Sequence, residues 1–173
     1  KPDWGPQPIR MVLASQGTQS FGLAAAADTG LTSPSELRNR RLVFIRGADS
    51  INMITTAVLA YAGLTWQDVR RVDAAGTNEA IEMLINGHAD VMPMSTRTPL
   101  MERIAASPRG VSWLHMPNKT DEDKAAWDRA QQVIPYYTAQ IETRGAGVSP
   151  ENPSHGGGYA LPMLVTNANR SAD

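Results

Sequence analysis

The hydrophobic positions of this chain alternate between short apolar runs and stretches with the 3.6-residue period of an amphipathic helix. The apolar runs predict strands, and they are PIRMVLA at 8–14, SFGLAAAA at 20–27, RLVFIRG at 41–47, RRVDAAG at 70–76, ADVMPM at 89–94, GVSWLHM at 110–116 and YALPMLVT at 159–166. RLVFIRG is almost unbroken in its apolar character, which is typical of a strand buried on both faces.

The helical stretches lie between these strands and carry recognisable start and stop signals. They are predicted at 50–62, 77–86, 99–107 and 120–133, with a further helix start in TSPSELRN at 32–39. There, Ser33 is the expected N-cap and Glu36 completes a capping box. Gly63 and Gly87 follow the last periodic residues of two helices, where a left-handed residue commonly ends a helix.

This alternation predicts an α/β fold with three layers: a mostly parallel sheet of about five strands and helices on both faces. The 173 residues are enough for one hydrophobic core and at most a small second one, so the prediction is a single lobe over 1–173. Residues 143–158, TRGAGVSPENPSHGGG, are rich in turn-forming residues and are predicted to form a long loop.

Composition and charge exclude several classes of function. The formal net charge is −1, which provides no long-range field for nucleic acid or an anionic membrane. The chain has no cysteine, so a disulfide framework and a thiolate site are excluded. No apolar run approaches the roughly 20 residues needed to span a bilayer.

Motifs for catalysis and for cofactors are missing as well. His88, His115 and His155 share no metal-ligand spacing, so no metal site is predicted. Neither a G-x-S-x-G nucleophile elbow nor a phosphate-binding G-x-x-x-x-G-K-[ST] loop occurs. The sequence therefore predicts a protein that is not an enzyme and that has no cofactor.

Polar residues follow three of the predicted strands, and in open α/β sheets ligands bind at the carboxyl ends of strands. The candidate ligand-binding residues are Gly47, Asp49, Ser50 and Asn52 after the first of these strands, Thr77 and Asn78 after the second, and Ser95, Thr96 and Arg97 after the third. Amides at the helix start near Ser50 are suited to a carboxylate, and Asp49 hints at a substrate ammonium group.

Each of these residues also has a purely structural interpretation. Asp49 or Ser50, and Thr77 or Asn78, are side chains that commonly cap a helix. Arg97 is suited either to clamp a carboxylate or to pair with a nearby acid. Tyr137 is favoured over its neighbour Tyr136 to form the floor of a cleft, although one of two adjacent tyrosines usually points into the core.

The order of several segments resembles the second half of TAXI-type TRAP transporter solute receptors. These segments are DTGLTSPSELRNRRLVFIRGADS at 28–50, AGLTWQDV at 62–69, AAGTNEAIEMLINGHADVMPM at 74–94 and IPYYTAQ at 134–140. The resemblance covers roughly residues 9–166. It implies one lobe of a type II periplasmic binding protein, with hinge strands at about 8–14 and 159–166 and without the first lobe and the C-terminal helices of the family.

The same resemblance implies a periplasmic or extracytoplasmic solute receptor. Its ligand would be a small organic acid or amino acid, and its partners the membrane permease subunits of a TRAP transporter, with no nucleic acid involved. One lobe alone is expected to bind its ligand weakly and to form a homodimer through an exposed hinge or cleft surface. The alternatives are the ligand-sensing domain of a LysR-type transcription regulator and an enzyme on the same scaffold.

Overall fold

The computed structural model describes residues 9–14, 18–160 and 163–167. The strands are β1 (Ile9–Ala14), β2 (Thr18–Ser20), β3 (Gly22–Ala26), β4 (Arg41–Ile45), β5 (Arg70–Ala74), β6 (Val91–Met94), β7 (Val111–Trp113), β8 (Thr138–Glu142), β9 (Ser154–Ala160) and β10 (Met163–Asn167). The α-helices are α1 (Asp49–Tyr61), α2 (Thr77–Ile85), α3 (Met101–Ala105) and α4 (Asp121–Val133). A one-turn 3-10 helix, Pro34–Leu37, carries the predicted capping box of Ser33 and Glu36.

The chain divides into two compact units, residues 1–19 with 160–173 and residues 20–159. In the first unit, β1 pairs with β10 in antiparallel fashion, with Ile9 opposite Asn167 and Ala14 opposite Met163. The two terminal strand segments are therefore side by side, which the sequence prediction of a shared hinge requires. Their role as a hinge stays a prediction.

The second unit is built on a five-stranded sheet with the order β5-β4-β6-β3-β7. Strand β4 is parallel to both β5 and β6, whereas β3 is antiparallel to β6 and to β7. Four of the strands thus run in one direction and β3 runs against them. The prediction of a mostly parallel sheet of about five strands is confirmed.

Hydrophobic cores lie on both faces of this sheet. Helices α1 and α4 cover one face, where Val58 and Trp127 pack with Leu42 of β4. Helices α2 and α3 cover the other face, where Leu84 and Ile104 pack in the cluster of Val43. The adjacent residues Leu42 and Val43 of β4 therefore pack in opposite cores, as the two-residue period of a strand requires. The three-layer α/β prediction is confirmed.

The helix ends follow the sequence signals closely. Gly63 and Gly87 both adopt the left-handed conformation, with φ of 68° and 74°, directly after the C-caps of α1 and α2. Helix α4 begins after Thr120, whose side chain accepts a hydrogen bond from the Asp123 amide in a second capping box. Helix α3 is shorter than the predicted 99–107.

The predicted loop at 143–158 is only partly correct. Residues from Ser154 onward form β9, which pairs with β8 in antiparallel fashion from Thr138 opposite Gly158 to Glu142 opposite Ser154. These strands belong to a second sheet with the order β2-β9-β8. Glycines are poor strand formers, but Gly157 is required here because the ring of Tyr137 lies directly against it.

Candidate functional site

The turns that follow β4, β5 and β6 lie at one edge of the five-stranded sheet. Ile45 pairs with Ala74, and Leu42 pairs with Val91, both in parallel register. Because parallel strands end at the same edge, the polar residues after these strands are brought to one side of the sheet, as the sequence predicted. We call this the carboxyl edge.

Helix α1 begins at the carboxyl edge without a side-chain cap. Its N-cap residue is Ala48, and no side chain bonds to the amides of its first turn. Asp49 and Ser50 are exposed, so the alternative interpretation of these two residues as caps is wrong. Gly47, with φ of 74°, makes the left-handed turn that leads from β4 into the helix. The start of α1 therefore presents free amides to solvent.

Asn52 is buried, unlike its exposed neighbours Asp49 and Ser50. It is 6% exposed, and its side chain bonds to the backbone of Ile45 at the end of β4. Its Nδ2 donates to the Ile45 carbonyl at 2.7 Å, and its Oδ1 accepts from the Ile45 amide at 3.0 Å. Both polar groups of Asn52 are thus used to fix α1 to β4, which corrects the sequence prediction of direct ligand contact.

Helix α2 also begins without a side-chain cap. Its N-cap is Gly76, and Thr77 and Asn78 are the first helical residues. The prediction that Thr77 or Asn78 caps this helix is therefore wrong. Glu79 accepts a hydrogen bond from the amide of Ala75 at 2.6 Å, which holds the preceding turn in place. Two uncapped helix starts thus lie at the carboxyl edge.

The third turn, which follows β6, is more deeply buried than the other two. Ser95 and Thr96 are 1% and 2% exposed, and the Thr96 hydroxyl is buried with no hydrogen-bond partner among the described residues. Arg97 is paired with Glu142: its Nε and Nη2 donate to the two carboxylate oxygens at 2.8 and 3.1 Å. The guanidinium fork is therefore occupied by an internal carboxylate, and the clamp interpretation of Arg97 gives way to the ion-pair alternative.

Glu142 is almost completely buried, and it is kept ionised by its neighbours. Burial alone would raise its pKa, but hydrogen bonds from Arg97 and from the amides of Thr143 and Arg144 outweigh burial and lower the pKa. The carboxylate is a fixed part of the structure that ties the end of β8 to the turn after β6.

Replacing Glu142 by glutamine should lower the free energy of unfolding at pH 7 by about 1–3 kcal/mol, because it removes a charged partner of Arg97. A lowered folded-state pKa stabilises the protein above the unfolded pKa of roughly 4.3, and this contribution is lost as the pH falls through the folded-state value. The difference between the parent and the variant should therefore shrink below about pH 4. Urea denaturation at several pH values measures this, with exposed Glu151→Gln as the control. A pH-independent difference would contradict it.

The two adjacent tyrosines are arranged in the opposite way from the prediction. Tyr137 is 0% exposed, and its hydroxyl donates to the carbonyl of Phe21 at 2.6 Å. Its burial raises its pKa strongly. Tyr136 is 63% exposed. Tyr137 is thus a core residue, and the ring that faces solvent belongs to Tyr136.

Tyr136, the less favoured of the two adjacent tyrosines, lies beside the site, and so does Tyr159, which the sequence does not indicate as a candidate. Together with Ser50 they line a cavity of about 90 Å³ beside the start of α1. Burial raises the pKa of Tyr159, with a smaller effect from Tyr136, so its phenol stays protonated at neutral pH. No local signal distinguishes Tyr136 from Tyr137. The single strand predicted at 159–166 is wrong: Tyr159 belongs to β9, which ends at Ala160, and β10 begins at Met163.

His115 and His155 lie next to each other although their spacing in the sequence gave no indication of it. Their ring centroids are 5.8 Å apart, and the amide of His155 donates to Nδ1 of His115 at 3.3 Å. Burial, and then the proximity of His155, lower the pKa of His115. Among the described residues no group of three or more His, Cys, Asp or Glu side chains is placed to hold a metal ion.

Comparisons with known proteins give one family match and several remote structural similarities. The family model described as NMT1/THI5 like matches residues 5–119. No curated protein gives a significant match.

Three of the similar solved structures are binding proteins. They are the periplasmic aliphatic sulphonate binding protein SsuA from Escherichia coli (16% identity, TM-score 0.48, 62% of this chain and 33% of that chain), an ABC transporter periplasmic binding protein from Brucella ovis with glutathione bound (11%, 0.49, 73% and 41%), and the amino acid ABC transporter substrate-binding protein AbpA from Streptococcus pneumoniae bound to L-arginine (14%, 0.45, 72% and 55%). This chain spans only a third to just over half of the length of these proteins.

Proposed function

This chain belongs to the NMT1/THI5-like family, and on that premise we propose that it is a ligand-binding lobe of an extracytoplasmic solute receptor. Its ligand is a small organic anion or an amino acid that lies against the carboxyl edge of the five-stranded sheet. The receptor delivers this ligand to the permease subunits of a membrane transporter, which are of the TRAP type according to the resemblance of the sequence to TAXI-type receptors.

The observation that carries this proposal is the pair of uncapped helix starts at the carboxyl edge. Neither α1 nor α2 has a side-chain cap, and free amides at a helix start attract anions because they add to the positive end of the helix dipole. Ser50 and Asn78 are exposed beside these amides. Asp49 is also exposed there, and it is suited to an ammonium group on an amino acid.

The other residues of the site hold its backbone in place. Asn52 holds the start of α1 against β4, Glu79 holds the turn before α2, and Arg97 with Glu142 holds the turn after β6. These contacts keep the free amides in place before a ligand arrives, which reduces the cost of binding.

No helix among the described residues is long and apolar enough to cross a bilayer. None of the proteins named above is a transcription regulator, and no observation favours the LysR-type alternative.

Titration of the chain with acetate, methanesulfonate, glycine and glutamate tests the proposal, with binding followed through the amide NMR signals of residues 49–51 and 77–79. A lobe without its partner lobe loses about half of the ligand contacts, so the dissociation constant should be about 1 mM or weaker. If none of these ligands shifts either set of amides at 50 mM, the proposed site is wrong.

Ser50→Asp should weaken anion binding at least tenfold without lowering stability. The new carboxylate repels an anion at the first turn of α1, and at a protein surface two charges about 4 Å apart repel by roughly 4 kcal/mol. The same carboxylate interacts favourably with the helix dipole, so the melting temperature should hold or rise. Gln67→Glu, which is exposed just before β5 at the other edge of the sheet, adds the same charge as a control. Equal weakening in both variants would show a general charge effect and contradict the site.

A further inference from the structure

Strand β5 leaves one side of the five-stranded sheet without a neighbour. It is the terminal strand in the order β5-β4-β6-β3-β7, and within the part of the chain that the structure describes no strand pairs with its outer side. On its inner side, the amide of Arg70 donates to the Arg40 carbonyl at 2.8 Å. Because the backbone groups of a strand alternate between its two sides, the amides and carbonyls of Arg71 and Asp73 face outward. A further strand can pair with these groups.

The side chains at this edge carry two opposite charges with a valine between them. Arg71 and Asp73 are exposed and lie on one face of the strand, where Nε and Nη2 of Arg71 donate to the Asp73 carboxylate at 2.6 and 3.2 Å. The guanidinium of Arg71 also lies over the ring of Phe44, 3.5 Å from its centroid. Val72 is partly buried and packs in the cluster of Val43 on the opposite face. The guanidinium is therefore held in a fixed place at the edge.

The order of these residues is complementary to itself. A two-fold axis through Val72 sets Arg71 of one copy opposite Asp73 of a second copy, and sets Val72 opposite its own counterpart. Since residues 71 and 73 are those whose backbone groups face outward, each of these opposed pairs can exchange two N–H···O=C bonds, as in an antiparallel ladder. Every charged side chain then has an opposite charge beside it both along its strand and across the axis, and such cross-strand pairs are stabilising.

Charged residues on an edge strand commonly protect it against association. They do so when like charges meet, because like charges that lie directly opposite each other across two strands are destabilising. On β5 the two charges have opposite signs and stand at equal distances in sequence from Val72. An antiparallel second copy therefore meets attraction at both positions.

We infer that two copies of this chain associate through the outer edges of their β5 strands, which pair in antiparallel fashion about an axis at Val72 and join the two five-stranded sheets into one. The pairing uses the same patch on both copies, as a two-fold dimer requires. It is a different surface from the hinge and the cleft that the sequence suggested for a homodimer. The inference does not depend on the proposed function, since the turns of the carboxyl edge take no part in the pairing.

The small size of the contact sets the expected affinity. Strand β5 has five residues, and contacts that bury less than about 1,200 Å² in total are typical of transient complexes. The dissociation constant should therefore be roughly 0.1–1 mM. Sedimentation velocity between about 5 µM and 1 mM should show a monomer at the low end and a mixture of monomer and dimer at the high end.

Two charge reversals test which surface is used. Asp73→Arg places only positive charges at the axis, and Arg71→Asp only negative ones, so each variant alone should dimerise at least tenfold more weakly than the parent. Mixed in equal amounts, the two variants should form a heterodimer, because the signs are again opposite across the axis. Exposed Glu151→Arg makes the same change of charge as Asp73→Arg away from β5, and it should dimerise like the parent.

Amide hydrogen exchange reports on the backbone pairing. The amides of Arg71 and Asp73 should exchange about twofold more slowly at 1 mM than at 50 µM protein, whereas the amide of Arg70, already bonded to Arg40, should not change. A parent that stays monomeric at 1 mM would overturn the inference. Dimerisation that survives in Asp73→Arg would overturn it too, since the contact would then lie on another surface. So would a failure of the mixed variants to associate. None of these results would affect the proposed function.

Discussion

Gly157→Ala should destabilise the protein by about 3 kcal/mol or more, the largest effect that we expect from the addition of a single methyl group. A Cβ at this position would lie 2.0 Å from Cζ and 2.3 Å from the hydroxyl oxygen of Tyr137. The ring has no room to move away, because Tyr137 is fully buried and its hydroxyl donates to the Phe21 carbonyl. The amide of Phe21 in turn donates to the carbonyl of Gly157 at 2.9 Å, which ties residue 21, between β2 and β3, to β9 at the same place.

Gly156→Ala is the matched control for this prediction. A Cβ on Gly156 meets only the Ser154 hydroxyl at 3.9 Å, which is ordinary van der Waals contact, and the two glycines are neighbours in the same strand. Urea denaturation of both variants measures the difference. In a Tyr137→Leu background the cost of Gly157→Ala should fall, because the ring that causes the clash is gone. Equal stability of the two alanine variants would contradict the packing of Tyr137 on β9.

The same glycines show why the sequence predicted the five-stranded sheet and missed the second one. Buried strands such as RLVFI at β4 carry their own signal, since apolar side chains must be covered on both faces. The strand SHGGGYA at β9 has no such signal. Gly157 leaves room for the ring of Tyr137, and a contact between residues 20 positions apart in the chain leaves no local pattern.

For the candidate site, the sequence predicted the position but not the roles of the individual side chains. The carboxyl edge itself followed from the order of strands and helices, and the turns after β4, β5 and β6 do share that edge. What Arg97 and Tyr136 do there was not predictable, because their surroundings are set by residues that are not their neighbours in the sequence or by the choice between two adjacent rings. Arg97 pairs with Glu142, 45 residues later, and Tyr136 faces its cavity because Tyr137 takes the place in the core.

Asn52→Ala should destabilise the protein by about 2–4 kcal/mol and should also weaken anion binding. The variant loses two hydrogen bonds to the backbone of Ile45, which is only 2% exposed, and a buried backbone group that loses its partner costs about 1–3 kcal/mol. Helix propensity cannot compensate, since the advantage of alanine over asparagine is less than about 1 kcal/mol.

Binding should weaken because Asn52 is a positioning residue for the first turn of α1. Without its side chain the free amides of residues 49–51 are no longer fixed against the end of β4, and a ligand must then pay the cost of ordering them. Ser50→Ala is the stability control, since Ser50 is exposed and makes no capping bond, and its free energy of unfolding should change by less than about 0.5 kcal/mol.

Asn52→Asp tests the donor group of the asparagine independently of its acceptor group. The aspartate keeps an acceptor for the Ile45 amide, but it places a carboxylate oxygen where Nδ2 now donates to the Ile45 carbonyl at 2.7 Å. Lowering the pH protonates this carboxylate and restores a donor, so the stability of Asn52→Asp relative to the parent should rise as the pH falls. Chemical denaturation of both proteins between pH 7 and pH 4 measures this. A deficit that is the same at every pH would show that Asn52 does not donate to Ile45, and the amides of α1 would then be held in place by something other than this side chain.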